Sequence, residues 1–222
     1  MNHDFLRPTD IIDHTNPAIT AKARELSAGL TDDAAIASAC FLFVRDDIRH
    51  SVDYQLNPVT CRASDVLAHR TGYCFAKSHL LAALLRANGI PAGLCYQRLS
   101  IDDIGPPFTL HGFNAVHLRD HGWYRIDPRG CKPGVTSAFT PPIEALAYTP
   151  LLPGEADLPE IWPDPLPMVM NALTRAVTWD GFLASLPDIE LIELGRQPAL
   201  QSFDAADIIR RDRDRDHIDV EW

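Results

Sequence analysis

Residues 72–96 read GYCFAKSHLLAALLRANGIPAGLCY, and a helix followed by a strand can be read from them. Ala76, Leu80, Ala83, Leu84 and Ala87 fall at i, i+4, i+7, i+8 and i+11, the apolar stripe of a helix. Asn88-Gly89-Ile90-Pro91 ends it, because glycine accepts a left-handed cap and proline cannot continue the hydrogen bonding. AGLCYQRL (92–99) then has the composition of a strand. Cys74 sits at or beside the first turn of the helix. A thiol in a first turn faces unpaired N–H groups and the positive end of the helix dipole, which favour a negative sulfur. Free cysteine also serves as a small buried hydrophobe, so position alone leaves both readings open.

Upstream, TDDAAIASACFLFVRDDIR (31–49) starts with a Thr-Asp cap, and Ile36, Ala39, Cys40, Phe43, Val44 and Ile48 recur at helical spacing. RASDVLAHRTG (62–72) predicts a short helix capped by Ser64 and closed by Gly72. Downstream, HGFNAVHL (111–118) and WYRIDP (123–128) predict strands joined by the tight turn RDHG. The loop before them holds Gly105, Pro106 and Pro107. Helices followed by at least three antiparallel strands make an α+β fold, with the Cys74 helix packed on an antiparallel sheet.

After Gly130 the pattern changes. Nine of the eighteen prolines lie between Pro133 and Pro167, and no steady period survives, so this segment is expected to wrap the surface. PLPMVMNALTRAVTWDGFLASLP (165–187) carries another helical pattern, and RRDRDRDHIDVEW (210–222) reads as a solvated, charge-laced element. The expectation is one domain over 1–222, with a core at about 33–130 and a proline-rich wrap and helical extension at about 131–222.

Thirty acidic against twenty basic residues give a net charge of −10, which opposes binding to nucleic acid or to an anionic membrane surface. Five scattered cysteines without a CxxC pair suggest neither a disulfide framework nor a zinc ribbon. Neither a basic segment preceding an apolar core nor a run of about 20 apolar residues is present, so a cytoplasmic chain with reduced thiols and no cofactor is expected.

A thiol attacks a carbonyl as thiolate, so a base must take its proton and return it to the leaving amine. A carboxylate on the far ring nitrogen of a histidine base fixes its tautomer. His111 opens one predicted strand and Asp127 ends the next, and antiparallel pairing brings such positions together. His117, on the same strand face, His121 in the turn and His79 one helical turn beyond Cys74 are rivals. Parity adds a condition. A two-residue turn would put His111 and Asp127 on opposite faces, whereas a three-residue loop from Arg119 to His121 would pair position 113 with 127 and leave His111 a diagonal neighbour. An odd-length turn is therefore expected, with Gly122 supplying positive φ. A metal site from Cys74, His79 and Cys61 is a weaker alternative, because the spacing is irregular.

Taken together, GYCFAKSHLLAALLRANGIPAGLCY and HGFNAVHLRDHGWYRIDP resemble the transglutaminase-like cysteine enzyme family, over roughly residues 33–130. The shared pattern is a Gly-x-Cys opening a helix, an LLRxxGIPA end to it, a histidine starting a strand, and Gly-Trp then Asp-Pro closing the next. Phe113 stands where the family often has tryptophan, and Asn114 and Ala115 where an acidic residue is common. The resemblance implies a papain-like α+β fold with Cys74 as nucleophile, His111 as base and Asp127 as orienting acid. It implies acyl transfer from an amide of a peptide, a protein or a small molecule through a thioester, resolved by water or by an amine. A non-catalytic peptide- or protein-binding module on the same fold is the alternative. The backbone N–H of Cys74 is the natural first oxyanion donor, with the second sought among Tyr54, Gln55 and their neighbours in 50–61. Cys40 and Cys95 fall on apolar patterns and are expected in the core, as is Trp123; Cys61 and Cys131 are loop thiols, and Trp162, Trp179 and Phe182 are expected in core or interface.

Overall fold

Helices begin where the sequence supplies caps. The computed structural model describes residues 3–189, which cluster as one unit. Asn16 accepts the Ala18 N–H at 2.9 Å, and Pro17 occupies the first position of α1 (Pro17–Leu26). Asp32 accepts the Ala35 N–H at 2.9 Å to open α2 (Asp33–Leu42). The predicted helix 31–49 is not continuous. α2 widens into a π-helical turn at Phe43–Asp47, and the chain extends as β1 (Arg49–His50). α3 (Ala63–His69) begins one residue before Ser64, which lies inside it. The cap comes from elsewhere: Asp13 accepts the Ser64 N–H at 3.0 Å. Arg70, at φ 56°, ends α3, and the expected stop at Gly72 instead belongs to β2 (Thr71–Gly72), which pairs in parallel with β1.

α4 (Cys74–Ala87) departs from the single-stripe reading, since every residue from Cys74 to Arg86 is buried. A helix apolar on one stripe can be covered all round only if its polar residues find partners. Lys77 Nζ donates to the carbonyls of Ile48 (2.5 Å) and Arg45 (3.3 Å), which fastens the π-turn to the helix. Arg86 donates to the carbonyls of Ala92, Arg7 and Pro163. α4 is therefore the axis around which α1, α2 and α3 pack.

β3 (Ala92–Ser100), β4 (Phe108–Leu118), β5 (Gly122–Ile126) and β6 (Ala156–Asp157) form an antiparallel sheet in the order β5-β4-β3-β6. Leu110, Val116 and Leu118 face the main core with α4, and a Cβ at Gly112 would clash with the edge of the Phe75 ring, so glycine lets the helix come this close. On the other face, Cys95, Phe113 and Ala115 form a second cluster with Trp123, Leu146 and Ile161. The proline-rich segment thus does more than wrap the surface. It covers one face of the sheet and adds β6 and a Leu94–Trp162 bridge to β3. α5 (Pro167–Arg175) and α6 (Trp179–Leu183) return to the main core through Val169, Leu173 and Phe182. Cys40 and Cys95 are buried as expected, Trp123 is half-buried between Phe5 and His117, and Trp162 is 37% exposed. The charge-laced run 210–222 lies outside the described residues. Among the described residues no helix is long and apolar enough to cross a membrane.

Candidate active site

The hairpin decides whether His111 and Asp127 can meet. Leu118 pairs with Gly122, leaving a three-residue loop Arg119–His121, and the ladder runs to Asn114 opposite Ile126. One further step sets Phe113 opposite Asp127, so His111 and Asp127 share a face. Gly122 has φ +68°, the left-handed conformation that the odd loop requires.

His111 Nε2 donates to Asp127 Oδ2 at 2.7 Å. Cys74 lines the same cavity as this ring, and with Nε2 engaged by Asp127, Nδ1 is the ring nitrogen left to meet the sulfur. β2, opposite β1, delivers the chain to Tyr73 and then to Cys74 at the start of α4. Asp127 accepts two further hydrogen bonds, from the Arg129 N–H to Oδ1 at 3.0 Å and from the Ala147 N–H to Oδ2 at 3.2 Å. Tyr148 stands edge-on to His111 with ring centroids 4.9 Å apart, and Phe113 stacks on it at 6.0 Å.

These contacts set the charges. Burial, the largest single influence on His111, disfavours the imidazolium, but the charges of Asp127 and Cys74 and the hydrogen bond to Asp127 outweigh it and raise its pKa to about 10. Burial likewise opposes ionisation of Asp127, yet the His111 charge and hydrogen bond and the two backbone N–H groups hold its carboxyl below the ordinary value. The rivals sit elsewhere. His79 Nδ1 donates to the Cys61 carbonyl at 2.8 Å, His117 packs edge-on to Trp123, and His121 is exposed in the turn. Among the described residues no three His, Cys, Asp or Glu side chains are placed to hold a metal ion.

A cavity of about 730 Å³ opens beside Cys74 and His111. Tyr54 and Gln55 are exposed on the turn after β1 and do not line it, whereas His50 and Val52 do. Arg129, Lys132 and Tyr148 also line it, and no period or motif in the sequence marked them. The one available signal was adjacency: Arg129 follows Asp127-Pro128 directly.

The structure of a candidate cysteine protease from Cytophaga hutchinsonii is similar at 20% identity and a TM-score of 0.46, over 56% of this chain and 40% of that one. The periplasmic domain of TgpA from Pseudomonas aeruginosa is similar at 20% identity and a TM-score of 0.41, over 56% and 45%. A candidate protease from Parabacteroides distasonis is similar at 14% identity and a TM-score of 0.39, over 60% and 28%. This chain therefore covers less than half the length of each of these structures. The comparison with curated proteins finds no match. Residues 20–128 match the family model of the transglutaminase-like superfamily, a stretch that includes Cys74, His111 and Asp127. Over that stretch the chain belongs to the transglutaminase-like superfamily.

Proposed function

We propose that this chain is a thiol-dependent acyl-transfer enzyme acting on amide bonds. The observation that carries the reading is the buried His111 ring, hydrogen-bonded to Asp127 at 2.7 Å and lining one cavity with Cys74 at the start of α4. In this reading His111 takes the thiol proton and the Cys74 sulfur attacks the amide carbonyl. The negative oxygen that forms is met by the Cys74 backbone N–H at the start of α4. The tetrahedral centre collapses as the C–N bond breaks, and the imidazolium gives its proton to the departing amine or ammonia, leaving a thioester on Cys74. Water or a second amine then attacks the thioester with His111 again as base, regenerating the thiol. Asp127 keeps the ring in one orientation throughout.

The test is intact-mass measurement of Cys74 after exposure to iodoacetamide at mildly acidic pH and to a panel of activated amides and esters. Rapid alkylation, and acyl adducts absent from Cys74→Ala, are expected. A Cys74 that alkylates no faster than an ordinary thiol and forms no acyl adduct would sink the reading, and leave a binding module on the same fold.

A further inference from the structure

The cavity beside Cys74 has two chemically different ends. On the β3 side of His111, Leu99, Leu110, Leu152 and Leu186 make an apolar wall. Two acidic residues line that end: Asp103 is exposed, and Glu155 is engaged by three backbone N–H groups, from Ser100, Leu151 and Leu152, at 2.8 to 2.9 Å. On the β5 side the lining is Arg129, Lys132 and His50. Asp53 lies among these three. It receives both Arg129 Nη groups at 2.8 and 2.9 Å, and Lys132 Nζ stands 3.7 Å away, so two cations share one carboxylate and one positive charge is in excess. His50 is 6% exposed, and its Nδ1 is buried without a hydrogen-bond partner, 3.5 Å from Asp53. Burial, then the charges of Arg129 and Lys77, hold its pKa well below the ordinary value, so the ring adds hydrogen-bonding capacity without charge. An excess cation beside an unpartnered buried imidazole, in a chain of net charge −10, marks one end of the cavity as a place for an anion.

We propose that Arg129, Lys132 and His50 form a subsite for a carboxylate, so that the substrate is an amide carrying a carboxylate close to the bond that Cys74 attacks. This rests on the thiol chemistry proposed above and adds to it a substrate class. The leucine wall takes an apolar group on the other side of the reacting carbon. The carboxylate belongs either to a chain terminus or to an acidic side chain.

Iodoacetate and iodoacetamide test the subsite without a known substrate, since they differ in a carboxylate against a carboxamide. The rate ratio of the two at Cys74, followed by intact mass, is divided by the same ratio for the neutral thiol N-acetylcysteine amide. A preference for iodoacetate of about tenfold is expected, the size of one hydrogen-bonded contact to a charged group. It should saturate with reagent and shrink as salt is added. The preference should fall severalfold in Lys132→Gln, and also in Asp53→Asn/Arg129→Gln, which removes the ion pair as a unit and leaves no buried charge unpaired. Protection of Cys74 by N-acetylglycine identifies a terminal carboxylate, and protection by the α-amide of N-acetylaspartate a side-chain one. A ratio equal to that of the model thiol, or one unchanged in both variants, overturns the subsite while leaving the thiol chemistry standing. A Cys74 that alkylates with neither reagent overturns both.

Discussion

His79 and His111 are both buried and both contact the neighbourhood of α4, yet their surroundings drive them in opposite directions. His79 has one partner, the neutral carbonyl of Cys61, and burial, the dominant influence, lowers its pKa to about 4 against the small opposing effect of that hydrogen bond. His111 suffers the same desolvation, but the charges of Asp127 and Cys74 and the hydrogen bond to Asp127 raise it to about 10. Burial therefore does not decide the charge of a histidine in this fold. The charge of its partner does, and that choice separates a core histidine from a candidate base.

The comparison breaks first on reactivity. In the proposed acyl transfer, with Cys74 as nucleophile and His111 as base, His111→Ala and Cys74→Ala are each expected to reduce the rate by about 10³-fold or more, because two such groups act as a unit. Asp127→Asn should lose about 10²- to 10⁴-fold through the wrong tautomer. His79→Gln should leave the rate of Cys74 acylation within a few-fold and instead lower stability by about 1 to 3 kcal/mol in urea unfolding. Comparable rate losses in His79→Gln and His111→Ala would mean that the two sites do not differ as described.

The titrations sharpen it. His79, with its folded pKa depressed below that of the unfolded chain, takes up its proton first in the unfolded state. Stability is therefore expected to fall as pH drops from the ordinary histidine value near ~6.5 toward about 4. His111, with its folded pKa raised, contributes stability that is fully present below ~6.5 and lost as pH rises toward about 10. Histidine ring NMR, with urea unfolding against pH, reads both limbs. His79→Gln should flatten the acidic limb, and His111→Ala should remove the histidine contribution to the alkaline one. The smallest effect concerns the loop that makes the His111 contact possible. Gly122→Ala should cost about 1 kcal/mol, because alanine at φ +68° is strained, and should slow Cys74 alkylation slightly without affecting the His79 titration.

Much of this was legible in the sequence where local chemistry writes it plainly. The period of α4, the Asp32 cap, the strand pair and the parity of the 119–121 loop follow from spacing and turn geometry. What was not legible depends on partners far along the chain. Lys77 looks like a solvated helix residue until the carbonyls of Arg45 and Ile48 are found beneath it. Ser64 has the chemistry of a cap, but Asp13, 51 residues away, does that work. Residues 131–165 have no period because they follow the sheet face and loops rather than forming long elements, so neither the Ala147 N–H nor the Tyr148 ring left a pattern to read.

The Ala147 contact also bears on the order in which the molecule assembles. Asp127 accepts a hydrogen bond from a residue 20 positions later, and that residue belongs to a segment without long regular structure of its own to hold it in place. Contacts that close a long loop are reached late, after helices and hairpins have formed. In refolding, recovery of the helical signal is therefore expected to precede the reactivity of Cys74 toward iodoacetamide, with a measurable lag. In Ala147→Pro, which lacks the N–H, full helix content should return with the thiol slower to alkylate. A thiol that becomes reactive together with the helices would show that α4 alone sets its chemistry. The expected lag would mean that the Cys74 thiol stays quiet until the last strap is in place.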